Sequence, residues 1–359
     1  MFEELRDETA QALQKNGITE FTDIQKQAIP PAIQGKDIFA KAPTGSGKTL
    51  AYLIPILERI EVQGKGKHFP RAIIFAPTRE LCLQIGDVTR KMLAEREGIR
   101  TAILTGGVDM QKQIRSFSKG ADIIIGTPAR IHDHLRRHTL KPKMIDMVVL
   151  DEADEILKMG FRQDVLDDLA FLPEHQTMLF SATYEEDIRN FAEELLKDPN
   201  TAEVKAETVL PQHTEYRYIN VDEHGKIDQV IKDLKKSETQ VILFANTRKT
   251  VIFLTDLLKQ KGFDIDGIHS EMDPKERKWI MKRFREHELQ ILCATDVAAR
   301  GIDIPSVGKV ISYDLPDTMD SLIHRFGRTS RAKHTGTAIL YVTPQQRKYL
   351  SDIKKHFQS

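Results

Sequence analysis

Val148-Val149-Leu150-Asp151-Glu152-Ala153-Asp154 is the stretch that decides the fold class. Its apolar run begins at Met147, shows no period-2 alternation and stops at three carboxylates within four positions. Such a run reads as a strand buried on both faces, as in a parallel sheet. The carboxylates then stand at the strand's C-terminal end, where open α/β sheets place their ligands. Three acids so close repel one another unless a cation lies between them or they face water. A solvated acidic turn is the bland alternative, and on this stretch alone it is preferred. The decision depends on whether a phosphate-binding loop lies upstream.

One does. Ala42-Pro43-Thr44-Gly45-Ser46-Gly47-Lys48-Thr49 follows the short apolar run Ile38-Phe39-Ala40 and opens a helical pattern from Leu50 to Ile60. Glycines let the backbone curl so that its N–H groups point at phosphate oxygens. Lys48 supplies a point charge to the β- and γ-phosphates, and Thr49 offers a hydroxyl to Mg²⁺. A Gly-rich turn before a helix is the alternative. Gly-x-Gly-Lys-Thr between strand and helix, with a carboxylate strand end about a hundred residues on, favours a nucleoside-triphosphate site.

At 359 residues the chain is too long for one ordinary core and suits two domains. Lys+Arg and Asp+Glu are both 53, so a nucleic-acid binder would need a local basic surface, not bulk charge. Cys82 and Cys293 lie far apart without metal-ligand spacing and read as core thiols in a reducing compartment. The start, Met1-Phe2-Glu3-Glu4, lacks a signal-peptide core, and no apolar run reaches membrane-spanning length. A soluble cytoplasmic protein is expected.

Residues 3 to 16 read as an amphipathic helix with Leu5, Ala10 and Leu13 on one face. A further helix starts at Thr22 or Asp23. Gln25 within it is either a surface residue or an amide that reads an adenine edge by donating and accepting at once. Strands and helices then alternate. Ala72 to Ala76 ends at Pro77-Thr78-Arg79, Thr101 to Thr105 at Gly106-Gly107, and Asp122 to Ile125 at Gly126-Thr127-Pro128-Ala129-Arg130. Gln176 to Phe180 ends at Ser181-Ala182-Thr183. This alternation implies a mostly parallel sheet flanked by helices, with one edge chemically loaded.

The pattern breaks near Asp198-Pro199-Asn200, and a linker is placed at residues 204–212, between domains at 1–203 and 213–359. A second series follows, with strands near Tyr216, Val241, Ile265, Gln290, Val310 and Thr337, and a last helix opened by Thr343-Pro344. The halves echo each other. Phe75-Ala76-Pro77-Thr78-Arg79 matches Phe244-Ala245-Asn246-Thr247-Arg248, and the strand end at Thr127 matches that at Thr295. Two copies of one α/β fold are inferred, the second without a phosphate loop; coincidence between short motifs is the alternative. Arg325, Arg328 and Arg331, spaced by three, could line one side of a helix as a solvated face. Beside a triphosphate site in the other domain, an arginine supplied across a cleft is the sharper proposal.

Together these blocks resemble the DEAD-box ATP-dependent RNA helicases of superfamily 2, over nearly the whole chain. The resemblance implies two tandem RecA-like domains, ATP and Mg²⁺ as cofactors, and RNA bound sequence-independently through its sugar–phosphate backbone. It assigns Gln25 to adenine, and Thr44, Gly45, Ser46, Gly47, Lys48 and Thr49 to phosphates and metal. Asp151 would hold Mg²⁺, partly through water, and Glu152 would orient and deprotonate the attacking water. Asp154, Ser181, Thr183 and His324 would couple the site to RNA and to the other domain. Gly301 and Asp303 would touch the nucleotide, and Arg328 and Arg331 would act as fingers. RNA contacts would be Pro77, Thr78, Arg79, Gly106, Gly107, Thr127, Pro128 and Arg130 in the first domain. In the second they would be Thr247, Arg248, Arg277 and Thr295.

This sequence departs from the family pattern at several positions. Ala42 opens the loop in place of Gly, a variant familiar from helicases. Phe21 stands for Pro, Ala129 for Gly, Pro274 for Gln, Ser330 for Gly, and Lys333-His334 for Gly-Arg. The expected activity is RNA-stimulated ATP hydrolysis with local separation of short duplexes or remodelling of RNA–protein complexes. A monomer targeted by protein partners is expected. The competing readings are an ATP-gated RNA clamp and a translocating DNA helicase; the Asp-Glu-Ala-Asp string favours the RNA branch.

Overall fold

The run Met147–Leu150 is a strand whose four side chains are all buried. Met147 and Val149 enter one apolar cluster, Val148 and Leu150 another. Apolar partners on both faces explain why the sequence here lacks alternation. In the computed structural model the chain divides into two units, residues 1–206 and 207–359, and each is built around such strands. The structure describes residues 4–43, 45–62, 69–117, 120–204, 214–237, 239–269, 271–296, 307–316, 319–329 and 336–347, without the side chains of Pro274, Met319, Asp320 and His324.

The first unit runs α1 (Asp7–Lys15), α2 (Asp23–Ile33), β1 (Ile38–Lys41), α3 (Lys48–Arg59), β2 (Ala72–Phe75), α4 (Arg79–Met92), β3 (Thr101–Leu104) and α5 (Met110–Ser116). It continues with β4 (Ile123–Gly126), α6 (Pro128–Arg136), β5 (Met147–Leu150), α7 (Ala153–Lys158), α8 (Arg162–Ala170), β6 (Gln176–Ser181), α9 (Glu186–Leu195) and β7 (Asn200–Glu203). The seven strands lie in the order β3-β4-β2-β5-β6-β1-β7, every pairing parallel, so all strand C-termini share one edge. Ile24, Leu53 and Ile85 from α2, α3 and α4 pack on one face; Ile131, Val165 and Phe191 from α6, α8 and α9 pack on the other.

Two expectations change. α1 begins at Asp7, and its buried residues are Thr9, Ala12 and Leu13, so Ala10 is off the core face. Strand β7 lies where the sequence pattern breaks, at Asn200–Glu203. Only Ala202 of its four residues is buried, which is too little apolar signal to read as a strand. The partner supplies the stability instead: Asn200 pairs with Ile38, and Gln27 bridges the backbone N–H and C=O of Glu203. Asp37 accepts from the N–H groups of Thr177 (2.8 Å) and Lys197 (2.7 Å), tying β6 and the approach to β7 together.

The second unit runs β8 (Thr214–Asn220), α10 (Lys226–Lys235), β9 (Val241–Phe244), α11 (Arg248–Gln260), β10 (Ile265–Ile268), α12 (Pro274–Arg285) and β11 (Ile291–Ala294). Then come β12 (Lys309–Ser312), α13 (Met319–Phe326), β13 (Gly336–Val342) and a 3₁₀ turn, Pro344–Gln346. Its order, β10-β11-β9-β12-β13-β8, repeats β3-β4-β2-β5-β6-β1 element for element, again all parallel. The match extends to dihedrals. Thr78 caps α4 at φ −124°, ψ 152°, and Thr247 caps α11 at φ −122°, ψ 150°; each hydroxyl accepts a backbone N–H three residues on. The duplication is therefore structural. Where the first copy has a phosphate loop, the second connects β8 to α10 through Val221-Asp222-Glu223-His224-Gly225. Cys82 and Cys293 are buried free thiols.

Candidate functional site

β1 delivers the chain to the shared strand-end edge, where the N–H of Ala42 donates to Ser181 C=O (3.0 Å). Ala42 is buried in the apolar cluster, so the family's opening glycine is replaced here by a methyl that packs. Gly45 and Gly47 hold φ of 85° and 94°, the left-handed region that favours glycine. Gly47 is doubly constrained: a Cβ there would fall 2.4 Å from Gln25 Nε2. Gln25 itself is 2% exposed. Its Oε1 accepts from Thr22 N–H (3.0 Å), closing a capping box, and its Nε2 donates to Gly47 C=O (3.0 Å). Both ends of the amide are thus engaged within the chain, and reading an adenine edge requires it to release at least one of them. The Thr22-x-x-Gln25 spacing was the signal for that capping role.

Lys48 opens α3. It is 7% exposed, and among the described residues its Nζ has no hydrogen-bond partner. Across from it, β5 ends on the acids. Asp151 Oδ2 accepts from the Tyr52 hydroxyl (2.9 Å), and Oδ1 from the N–H of Glu152 (3.0 Å). Glu152 sits at φ 50°, ψ 51°, a left-handed backbone rare for a non-glycine and typical of functional strain. Burial pushes the Asp151 carboxyl above its usual range, and Lys48 opposes the rise. Burial also pushes Glu152 up to about 7, with Lys48 again opposing and Asp151 adding to it. Asp154 Oδ1 and the Thr183 hydroxyl are buried without hydrogen-bond partners among the described residues, while Ser181 Oγ accepts from Thr183 N–H (3.2 Å). These residues stand at the ends of β1, β5 and β6, which the sheet order makes neighbours.

Tyr52 was not foreseen. It lies one turn beyond Lys48 on the same helix face, wholly buried against Phe180, and burial raises its hydroxyl far above the usual range. It donates to one oxygen of the acid that a metal would use. Among the described residues no group of three or more His, Cys, Asp or Glu side chains is arranged to hold a metal ion alone. One carboxylate, Asp151, and one hydroxyl, Thr49, fit Mg²⁺, which takes its remaining ligands from phosphate and water. The crowded acids, held above their normal pKa by burial, also fit a cation that would relieve them.

The candidate RNA residues of the first unit follow β3, β4 and β2, three consecutive strands. Arg79 reaches Gly107: a Cβ on that glycine would lie 3.1 Å from its Nη1. Arg130 Nη1 donates to Val108 C=O and Gln113 Oε1, both at 2.8 Å, so it braces the loop that carries Gly106 and Gly107. Gln113 also donates to Thr105 C=O and meets His134, an interior network that the sequence reading missed. Burial, then Arg130, lower the His134 pKa to about 4 and keep the ring neutral. In the second unit Thr247–Arg248, Thr295 and the start of α12 follow β9, β11 and β10, again consecutive. Arg248 pairs with Glu271, and Arg277 is buried. Pro274 occupies the first turn of α12 behind an Asp273 cap, which explains its presence in place of a glutamine.

The three-arginine face is corrected. α13 stops at Phe326, and Arg325 turns inward: it is 1% exposed. Its Nε and Nη2 grip both oxygens of Asp296 (2.8 and 2.7 Å), Nη2 also reaches Asn246 Oδ1 (2.6 Å), and Nη1 bonds Ser312 and Asp314 C=O. Arg328 lies past the helix end, its C=O accepting from Val307 N–H (2.9 Å). Thr44, Gly301, Asp303, Ser330, Arg331 and the His324 side chain lie outside the described residues.

Comparison with known proteins adds the following. Residues 22–191 match the DEAD/DEAH box helicase family model, and residues 225–333 match the helicase conserved C-terminal domain. A Bacillus cereus protein named DEAD-box ATP-dependent RNA helicase CshA is 40% identical over 98% of this chain and 66% of its own length. The ATP-dependent RNA helicase CshA of Limosilactobacillus reuteri is 38% identical over 98% of this chain and 70% of its own. The chain thus spans 66% of the length of the first of these relatives. Among solved structures, S. cerevisiae Dbp5 bound to RNA and ADP BeF3 matches with TM-score 0.85 at 30% identity, covering 99% of this chain and 93% of that one. Mss116p bound to ssRNA and AMP-PNP matches with TM-score 0.84 at 29% identity, covering 99% and 76%. The two sheets are tandem RecA-like domains.

The Arg325 cluster yields a stability prediction. Removing one partner of a buried ion pair costs about 3–5 kcal/mol; Asp296 keeps 23% of its side chain exposed, so the loss here falls toward the lower end of that range. Arg325→Ala is therefore expected to lower the midpoint of chemical unfolding of the second unit, followed by hydrogen exchange in β9 and β12. Protection there equal to wild type would show that the cluster contributes nothing to stability.

Proposed function

The chain belongs to the DEAD/DEAH box helicase family, and on that premise we propose that it is an ATP-dependent RNA helicase. RNA stimulates its ATP hydrolysis, and hydrolysis is coupled to closure of two RecA-like domains, residues 1–203 and 213–359, joined by the linker 204–212. The carrying observation is the buried Lys48 ammonium without a hydrogen-bond partner, in the same strand-end group as the partnerless Asp154 carboxylate oxygen and Thr183 hydroxyl. A cation so desolvated calls for an anion, and phosphate at a helix N-terminus supplies one.

In this reading Lys48 and the N–H groups of residues 44–49 hold the triphosphate of ATP. Thr49 and Asp151 would hold Mg²⁺, which supplies charge neutralisation at the phosphoryl oxygens when bound. Tyr52 keeps the Asp151 carboxylate in one rotamer. Glu152 orients the attacking water and takes its proton. Gln25 moves from its capping contact to the adenine edge, so occupancy of the base pocket is felt at Gly47 through the bond they share. Gly301 and Asp303 touch the nucleotide from the second domain, and Arg328 and Arg331 complete the site on closure. Asp154, Ser181, Thr183 and His324 link that closure to RNA.

RNA lies along both strand-end edges. Hydroxyls, amides and arginines there suit sugar–phosphate contacts and read no base. Closure on one strand separates short duplexes or strips bound protein. The protein acts as a cytoplasmic monomer, with partners directing it; no described helix is long and apolar enough to cross a membrane.

Steady-state ATPase assays without nucleic acid, with single-stranded RNA and with single-stranded DNA test the reading. Stimulation by RNA well above DNA is expected; equal rates in all three defeat it. Glu152→Gln keeps size and hydrogen bonding but cannot accept a proton. Turnover is expected to fall by about 10²–10⁴-fold while ATP-dependent RNA binding survives. Turnover at the wild-type level would move the base elsewhere. Arg328→Ala should leave ATP affinity without RNA nearly unchanged and cut kcat at saturating RNA by about 10³–10⁵-fold, as for other arginine fingers. A loss below about threefold, or ~0.65 kcal/mol in barrier terms, would reject the cross-domain finger.

A further inference from the structure

Helix α12 carries a surface that the RNA contacts above leave unused. Its inner side, Arg277, Ile280, Met281 and Phe284, is buried. Its outer side carries Lys275, Lys278, Trp279, Lys282 and Arg285, all exposed. The chain as a whole balances 53 bases against 53 acids, yet this outer side presents four exposed bases, Lys275, Lys278, Lys282 and Arg285, against one exposed acid within the helix, Glu276, with Lys282 also 3.8 Å from Glu286 just past its end. This is the local basic surface that the neutral total demands of a nucleic-acid binder.

Trp279 is the chain's one tryptophan and is 56% exposed. The Arg283 guanidinium lies 4.7 Å from its ring centroid. That guanidinium is itself anchored, by Asp266 Oδ2 (2.6 Å) on the edge strand β10 and by Glu288 C=O (3.3 Å). The indole is therefore braced in an exposed position. A braced aromatic ring among phosphate-seeking cations is the arrangement on which unpaired bases stack. An acidic protein segment would match the charge alone; a nucleic acid matches both charge and ring.

Place matters as much as chemistry. α12 starts at the strand-end edge, beside Thr247–Arg248 and Thr295, and runs away from it. With about 1.5 Å of rise per residue, Trp279 stands about 3 Å and Arg285 about 12 Å further along the axis than Arg277. We propose that the outer face of α12 binds single-stranded RNA running past the strand-end edge. Trp279 stacks on a base, and Lys275, Lys278, Lys282 and Arg285 follow the phosphates. This rests on the RNA reading above and adds a second contact region to it.

Trp279 is its own reporter. The full chain, with a non-hydrolysable ATP analogue, is titrated with end-labelled oligouridylates of about six and about twenty nucleotides. Label anisotropy reports binding, and tryptophan emission reports α12. Both RNAs should bind, and only the longer should quench Trp279. Trp279→Ala, and separately Lys278→Glu with Lys282→Glu, should each weaken the longer RNA at least about fivefold and leave the shorter unchanged. The double variant keeps Trp279 and Arg283, so the test stands even if Trp279→Ala does not fold. Unchanged affinity for the longer RNA, or an equal loss for both lengths, overturns the proposal. Quenching by a polyglutamate peptide as strong as by the longer RNA also overturns it and assigns the face to an acidic protein. If anisotropy rises with neither RNA, the RNA reading itself fails, an outcome distinct from the others.

Discussion

A buried ammonium with no hydrogen-bond partner is the constraint on which the first domain's site depends. Lys48 is fixed by its place at the head of α3, and among the described residues its Nζ has no hydrogen-bond partner. The nearby acids cannot do so cheaply, because the same burial that strips water from Lys48 raises Asp151 and Glu152 toward protonation. Positive and negative groups are held apart in a low-dielectric setting, leaving room for a ligand that carries both signs. A nucleoside triphosphate with its cation has that character.

The parallel sheet turns this local tension into a shared edge. Every crossover returns the chain to the same side, so each β-to-α connection contributes a polar cap at the same level. The duplication reuses the device: Thr78 and Thr247 cap their helices with dihedrals that agree within a few degrees. The strand order is kept while the connections and the sheet's outer edge diverge. The strand that leads to the phosphate loop in one copy leads in the other to an acidic turn, and the extra strand β7 belongs to the first copy alone among the described residues.

What could be read without coordinates was whatever leaves a mark in local chemistry. Strands buried on both faces show as unbroken apolar runs, and their ends show as small or polar residues. Met147–Leu150, Ala72–Phe75 and Val241–Phe244 all lie where those marks place them. β7 left no mark, because its stability comes from pairing with β1 and from Gln27, a residue far away in the chain. Arg325 misled for the opposite reason: its spacing from Arg328 was regular, but Asp296 and Asn246 draw it inward, and only the fold brings those residues to it. Tyr52 was hidden in an apolar helix face, where an aromatic reads as core; its hydroxyl acquires meaning only when β5 lies opposite.

Strand β7 also has a mechanical bearing. It is the last element of the first domain, and it lies in register alongside β1, the strand that carries the phosphate loop. The chain bound for the second domain therefore departs from the neighbour of the loop's own strand, at the same end of the sheet. The register ties the four residues of β7 to all four of β1, so a displacement of β7 is passed to the strand that carries the loop. The Lys41–Glu203 ion pair (3.0 Å) and the Gln27 clamp close that end of the ladder. The end of the first domain and the base of the phosphate loop are thus one hydrogen-bonded piece of sheet.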